Sequence, residues 1–253
     1  MFQPEELPCH ICFGNKDVNG KNTGNRGSVE LGKSTFHCIE RGERFLYECI
    51  VFDVDGTLID TENVIIRALQ LVLERRGRYF PDEKLDFVLG IPGDISLSKL
   101  GIKDCAGAIK EWNEHIQNLA GDIQLFDGID LLIEALDKRK ISKGIVTSKT
   151  RKELSDDFGP FGLMERFPHI VCVDDIPFHK PHPAPLLRCL ESASVPARLA
   201  LYIGDTIYDA ECARAAGVDF ALAGWGAKSE SNIPCDLYFN NPLDLLPLLD
   251  GMR

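Results

Sequence analysis

Asp53 and Asp55 close an apolar run, Tyr47 to Asp55, and continue as Asp-Val-Asp-Gly-Thr. Residues two apart on a strand point the same way, so the two carboxylates could share one site if the run stayed straight. Gly56 permits a sharp change of direction just beyond them. Carboxylates this close repel, so such a site needs a cation, a shared proton, or both. A lone Asp at a strand end often does no more than cap the next helix; the doubled Asp ahead of Gly56 and Thr57 points to chemistry instead. Other apolar runs end in complementary residues. The run 143–147 ends in Thr147 and Ser148, hydroxyl donors suited to phosphate oxygens. His179-Lys180-Pro181 follows the run 169–173, and 199–205 ends in Gly204-Asp205-Thr206 with Asp209 one turn further on.

These residues need a scaffold that brings strand ends together. Tyr-Glu-Cys-Ile-Val-Phe is short, apolar and β-branched, the pattern of a strand buried on both faces of a parallel sheet. Similar runs lie at 143–147, 169–173, 199–205 and 218–223, separated by helical patterns at roughly 128–140, 150–158, 183–193 and 207–216. Strand alternating with helix predicts an α/β fold, a doubly wound (Rossmann-like) parallel sheet, whose ligands sit beyond the carboxyl ends of the strands. One stretch breaks the alternation. Ile65, Leu69, Val72 and Leu73, then Ile109, Trp112, Ile116 and Leu119, follow helical spacing, with Gly77 and Gly121 as stops. A small all-helical cap domain over 62–121, inserted after the first strand, is therefore expected within a core of 47–61 and 122–253.

The segments DVDGT, VTSK, HKPHP and GDTIYDA resemble, in order and spacing, the four motifs of the haloacid dehalogenase-like hydrolases. The resemblance covers Tyr47 to the C-terminus, and the helical insert sits where that family places a C1-type cap. The branch it is most similar to is that of the phosphoglycolate phosphatase-like proteins, which include pyrophosphatase-like and β-phosphoglucomutase-like members. The resemblance implies Asp53 as nucleophile and Asp55 as general acid/base. It implies Gly56, Thr57, Thr147, Ser148 and Lys180 around the phosphoryl group, with Lys180 also assisting catalysis. Asp53, Asp55, Asp205 and Asp209 are implied as ligands of Mg²⁺.

Elementary chemistry agrees with those roles. Phosphoryl transfer asks the protein for positioning and charge neutralisation, and a carboxylate can attack phosphorus. Four carboxylates beside a phosphate dianion exceed what Lys180 balances, and a hard divalent ion accepts carboxylate, water and phosphate oxygens together. Asp55 also separates chemistries, because displacement of halide from carbon needs no acid at that position. The expected function is Mg²⁺-dependent hydrolysis of a small phosphorylated metabolite through an aspartyl-phosphate. The alternatives are a phosphosugar mutase, a pyrophosphatase, or a non-catalytic phospho-ligand-binding module. A mutase would hold a second phosphate with basic cap residues, for which Arg67, Arg75, Arg76, Arg78 and Lys84 are available. Gly90-Ile91-Pro92-Gly93 is a candidate for recognising the leaving group.

Composition sets outer limits. The 253 residues (28.2 kDa) are 44% apolar and 26% charged, an ordinary soluble balance that can bury a core without disulfide or metal staples. With 39 acidic and 28 basic side chains the formal charge is −11, which disfavours nucleic acid or an anionic membrane as main partner. Nine scattered cysteines make no disulfide framework, and Cys49, Cys172 and Cys212 sit in apolar runs as small hydrophobes. No basic region followed by an apolar run opens the chain, and no stretch nears the ~18 apolar residues of a membrane span. A cytoplasmic monomer or small homo-oligomer is expected. Residues 1–46 stand apart: 14–28 is nearly all Gly, Asn, Lys and small polar residues, a composition that predicts a disordered extension. Cys9, Cys12, His37 and Cys38 could offer zinc four ligands, but the adjacent second pair lacks the usual ligand spacing.

Overall fold

The structure, a computed structural model, describes residues 47–228 and 233–250. The zinc question at Cys9, Cys12, His37 and Cys38 and the extension 1–46 lie outside the described residues. In chain order the elements are β1 (Cys49–Phe52), β2 (Ile59–Asp60), α1 (Glu62–Glu74), α2 (Gly93–Lys99) and α3 (Cys105–Asn118). They continue with β3 (Gln124–Leu125), α4 (Ile129–Arg139), β4 (Ser142–Val146), α5 (Arg151–Asp157) and β5 (His169–Val171). The last are α6 (Ala184–Ala193), β6 (Ala200–Gly204), α7 (Ile207–Ala216), β7 (Asp219–Ala223), β8 (Leu237–Phe239) and α8 (Leu246–Asp250).

Six strands form one parallel sheet in the order β5-β4-β1-β6-β7-β8. β1 is central, with Phe52 opposite Ile145 on one side and Ile203 on the other. The chain runs outward from β1 in both directions, so the crevice beyond its carboxyl end is the place where such sheets bind ligands. Alternate residues of each strand feed two separate cores, as the two-residue period requires. Ile50, Phe52, Ile145 and Ile203 meet Leu132 and Leu136 of α4 and Leu154 of α5. Cys49, Val51, Val146 and Tyr202 meet Leu186 and Cys189 of α6 and Ala213 of α7. Each large apolar side chain buried in this way contributes roughly 1.5–3 kcal/mol.

Boundaries shift slightly from the sequence expectation. The first strand stops at Phe52, so Asp53 and Asp55 lie beyond it, and the run 169–173 is strand only through Val171. β8, the edge strand, was not expected at all. The helical stretch is entered through β2 and left through β3, which pair antiparallel with Ile59 opposite Leu125 and Asp60 opposite Gln124. Between them α1 and α3 bury the predicted stripes, including Leu69, Val72, Trp112 and Ile116, and Gly77 follows the end of α1 at φ 65°. Among the described residues no helix is long and apolar enough to cross a membrane.

Candidate active site

Asp53 leaves β1 with its N–H still donating to Ile203 O at 2.9 Å, which extends the ladder by one residue and fixes the side chain at the sheet's edge. Its carboxylate is buried, and Lys180 Nζ lies 2.9 Å from Oδ1. The same ammonium lies 2.7 Å from Asp209 Oδ1. Asp209 occupies the third position of α7, where its Oδ2 accepts from Thr206 N at 3.1 Å in a reciprocal capping box. Tyr202 OH donates to its Oδ1 at 2.8 Å. Thr57 Oγ1 donates to Asp205 Oδ1 at 3.2 Å. Carboxylate oxygens of Asp53, Asp205 and Asp209 all lie within 4.8 Å of one another, and all three residues are buried.

Three buried carboxylates against one ammonium leave surplus negative charge in a poorly solvated place. Burial pushes the Asp53 carboxyl up to about 7; Lys180 pulls against that rise, while Asp209 and Asp55 add to it. Burial also drives Asp205 well above its ordinary range, reinforced by the charges of Asp209 and Asp53. Burial alone would lower Lys180, but Asp209 and Asp53 hold it above its ordinary value. Gly56, at φ +72°, lies so close that a Cβ there would stand 2.2 Å from Asp205 Oδ2. The hard oxygens, their surplus charge and the side-chain-free approach at Gly56 fit a small divalent cation.

Asp55 has other partners. The sequence reading groups it with the other three as a metal ligand, but its carboxylate stands outside that group of three. Its Oδ1 accepts from Thr61 Oγ1 at 2.6 Å and lies 3.0 Å from Lys149 Nζ. The backbone turn explains this: Val54 O accepts from the N–H groups of Leu58 and Ile59, at 2.8 and 3.0 Å, so the chain does not run straight past Asp53. Thr61 is the N-cap residue of α1 and makes no side-chain cap there, its hydroxyl being given to Asp55.

Lys149 is the residue the sequence reading passed over. It sits inside the VTSK segment, from which only Thr147 and Ser148 are expected to act. In the fold it is buried, 2.7 Å from Asp157 Oδ2 at the end of α5 and 3.0 Å from Asp55. Burial opposes its charge, but Asp55 and Asp157 hold its ammonium above the ordinary value. Among the predicted phosphate contacts, Thr147 is buried beside it and accepts from Lys149 N at 3.2 Å. Ser148 Oγ donates to Gly90 O at 2.7 Å, tying the Gly90–Gly93 loop to the end of β4. Gly90, at φ +84°, presses on Thr206, where a Cβ would be 2.8 Å from Cγ2.

A cavity of about 320 Å³ opens between this floor and the helices. Asp53, Asp55, Ser148 and Lys149 line one side and the Gly90–Gly93 loop, α1 and α3 the other. Arg67, Arg75, Arg76, Arg78 and Lys84 are not among its lining residues. Arg67 is paired with Asp122 at 3.7 Å, and Arg75 and Arg76 share Glu111 at 2.5 and 2.6 Å.

The model of a family described as haloacid dehalogenase-like hydrolase matches residues 50–223, well over half of the chain. The chain belongs to the haloacid dehalogenase-like hydrolases. It is therefore an enzyme, and its relatives agree on the class. A phosphoglycolate phosphatase of Aquifex aeolicus is 32% identical over 80% of this chain and 96% of its own. The pyrophosphatase PpaX of Bacillus cereus is 29% identical over 81% of this chain and 97% of its own. The solved structure of a candidate phosphoglycolate phosphatase from Lactobacillus plantarum superposes with a TM-score of 0.73. It is 31% identical and covers 80% of this chain and 99% of that one.

Proposed function

We propose that this hydrolase is a phosphomonoesterase that acts on a small phosphorylated metabolite through an aspartyl-phosphate at Asp53. The observation that carries the reading is the position of Asp53, beside Lys180 and two further buried carboxylates, on the floor of a cavity that Asp55 also lines. Relatives named as phosphatases and a pyrophosphatase support the same class.

Asp53, Asp205 and Asp209 would hold Mg²⁺, which when bound would neutralise phosphate charge and the repulsion between the carboxylates. Thr57, Thr147, Ser148 and Lys180 orient the phosphoryl oxygens, and the helices with the Gly90–Gly93 loop act as a cap that excludes bulk water. An Asp53 oxygen attacks phosphorus in line; its new bond to phosphorus forms as the bond to the alcohol oxygen breaks. Asp55 gives its proton to that departing oxygen. A water then attacks the same phosphorus, Asp55 takes a proton from it, and the bond to Asp53 breaks to release inorganic phosphate. Thr61 and Lys149 aim Asp55 at the leaving oxygen, and Lys180 holds Asp53 and Asp209 in place.

Hydrolysis of 4-nitrophenyl phosphate with Mg²⁺ present tests the assignment. Asp53→Asn should abolish turnover while leaving the circular dichroism spectrum that of the folded protein. Turnover near that of the unaltered enzyme would refute the nucleophile.

A further inference from the structure

The cavity has two unlike sides. Most charged and hydroxyl groups lie on the sheet side, whereas the cap side presents Ile65, Val88, Ile91, Ile109, Trp112 and Ile116, with Asp94 as its charged residue. Two polar donors on that second wall are already engaged. Trp112 Nε1 donates to Ile65 O at 3.1 Å, and Asn113 Nδ2 donates to Glu153 Oε1 at 2.7 Å. Glu153 is itself held in the reciprocal cap of α5 with Thr150. A wall of this kind offers carbon to whatever lies against it.

Charge points the same way. Among the described residues lining the cavity, Lys149 is the single cation, set against Asp53, Asp55, Asp94 and Glu153. Its ammonium is already matched by Asp55 and Asp157 at 3.0 and 2.7 Å. Of the basic side chains of the helical segment, Arg67, Arg75 and Arg76 are paired with Asp122 and Glu111 outside the cavity, and no basic side chain of that segment is among the cavity's lining residues. A second carboxylate or phosphate on the substrate would therefore be desolvated against apolar carbon and acidic side chains with no counter-charge, which is strongly unfavourable. Added hydroxyls would be rejected only modestly, because an apolar pocket discriminates weakly against them.

We infer that the substrate is a phosphomonoester whose alcohol is uncharged and largely apolar, seated against Ile65, Ile109 and Trp112, and not an ester carrying a second anionic group. The inference rests on the phosphatase reading and narrows it. It sets this chain apart from the activities for which its phosphoglycolate phosphatase and pyrophosphatase relatives are named. Specificity would lie in the apolar wall, with the phosphate handled wholly by the sheet side.

The test is a kcat/KM series at fixed Mg²⁺ over ethyl, butyl and hexyl phosphate, phosphoglycolate, pyrophosphate and glucose 1,6-bisphosphate. Alkyl esters avoid the advantage that an acidic phenol would give as a leaving group. Each methylene buried against the wall should raise kcat/KM by about fourfold until the cavity is full. Butyl phosphate should exceed all three doubly anionic compounds at least tenfold. Ile109→Ala, at a half-buried helical position, should lower kcat/KM for butyl phosphate by about tenfold, and for ethyl phosphate by less. A flat alkyl series, or phosphoglycolate, pyrophosphate or the bisphosphate turned over best, would overturn the inference while leaving a phosphatase standing. Absence of turnover on every ester and on 4-nitrophenyl phosphate would instead remove the phosphatase reading, and this inference with it.

Discussion

Replacing Lys149 by Met should uncouple two roles of one side chain. The ammonium lies 2.7 Å from Asp157 and 3.0 Å from Asp55, with side-chain exposures of 9%, 2% and 18% in that order. At an effective dielectric near 20 each contact carries about 5–6 kcal/mol of Coulomb attraction, of which ammonium desolvation takes back several. Removing one partner of a buried pair costs about 3–5 kcal/mol, because the other charge stays behind uncompensated. For a domain of this size that lowers Tm by roughly 6–20 °C. Burial already pushes Asp157 above the usual carboxylate range, with Lys149 opposing it, so Asp157 is the group left exposed to the full penalty. Adding Asp157→Asn to Lys149→Met removes the orphaned charge and should recover most of the lost stability. It should not recover turnover of 4-nitrophenyl phosphate, because Asp55 would still lack its orienting ammonium. Thermal and urea denaturation of the single and double variants, beside steady-state rates, read both effects. A Lys149→Met protein melting within a degree or two of the parent would refute the stability argument. A double variant that regains full turnover would refute the positioning of Asp55.

Gly56→Ala should cost on the order of 1–2 kcal/mol of stability from its φ of +72°, while its Cβ displaces Asp205. The expected signature is an Mg²⁺ half-saturation concentration raised at least tenfold, and unchanged metal dependence would contradict it. Tyr47 donates to Asp219 Oδ2 at 2.7 Å, and burial, then Asp219, push its phenol well above the ordinary 10.0. Above about pH 10 the unfolded chain therefore loses a proton that the folded one keeps, so stability falls as pH rises. Urea midpoints at pH 8 and 11 should show that fall, and Tyr47→Phe should lessen it. Burial raises the thiols of Cys49, Cys172 and Cys212 to about 11, 12 and 12. In the native protein at pH 7.5 these three should resist iodoacetamide and react only on unfolding; mass-spectrometric labelling of the native state would expose an error.

The sheet and the acidic floor were legible because each of their parts has a local signature. Asp53, Thr147 and Asp205 follow buried β-branched runs, and a short apolar run between turn residues is the mark of a strand covered on both faces. β8 has no such mark: Leu237, Tyr238 and Phe239 are three residues flanked by polar ones, and only pairing with Ala221 to Ala223 makes them a strand. β2 and β3 are two residues each, too short for any period to register. Spacing on a straight strand put Asp55 with the metal set, whereas the turn at Val54 sets its carboxylate against Thr61 and Lys149. Lys149 was hidden for another reason. Its partner Asp157 is eight residues away in an outwardly polar helix, and only its place beside the buried Leu154 and Phe158 hints that it faces inward.

The two-rung ladder between β2 and β3 has a mechanical consequence. Because both chain crossings into the helical segment are hydrogen-bonded to each other, its covalent connections leave the core along one line, while Ser148 to Gly90 and Asn113 to Glu153 hold it at other points. Thr61 stands at the end of this line and grips Asp55 at 2.6 Å. A displacement of the helices about this line would carry Thr61 with it, and so shift the carboxylate proposed as the acid.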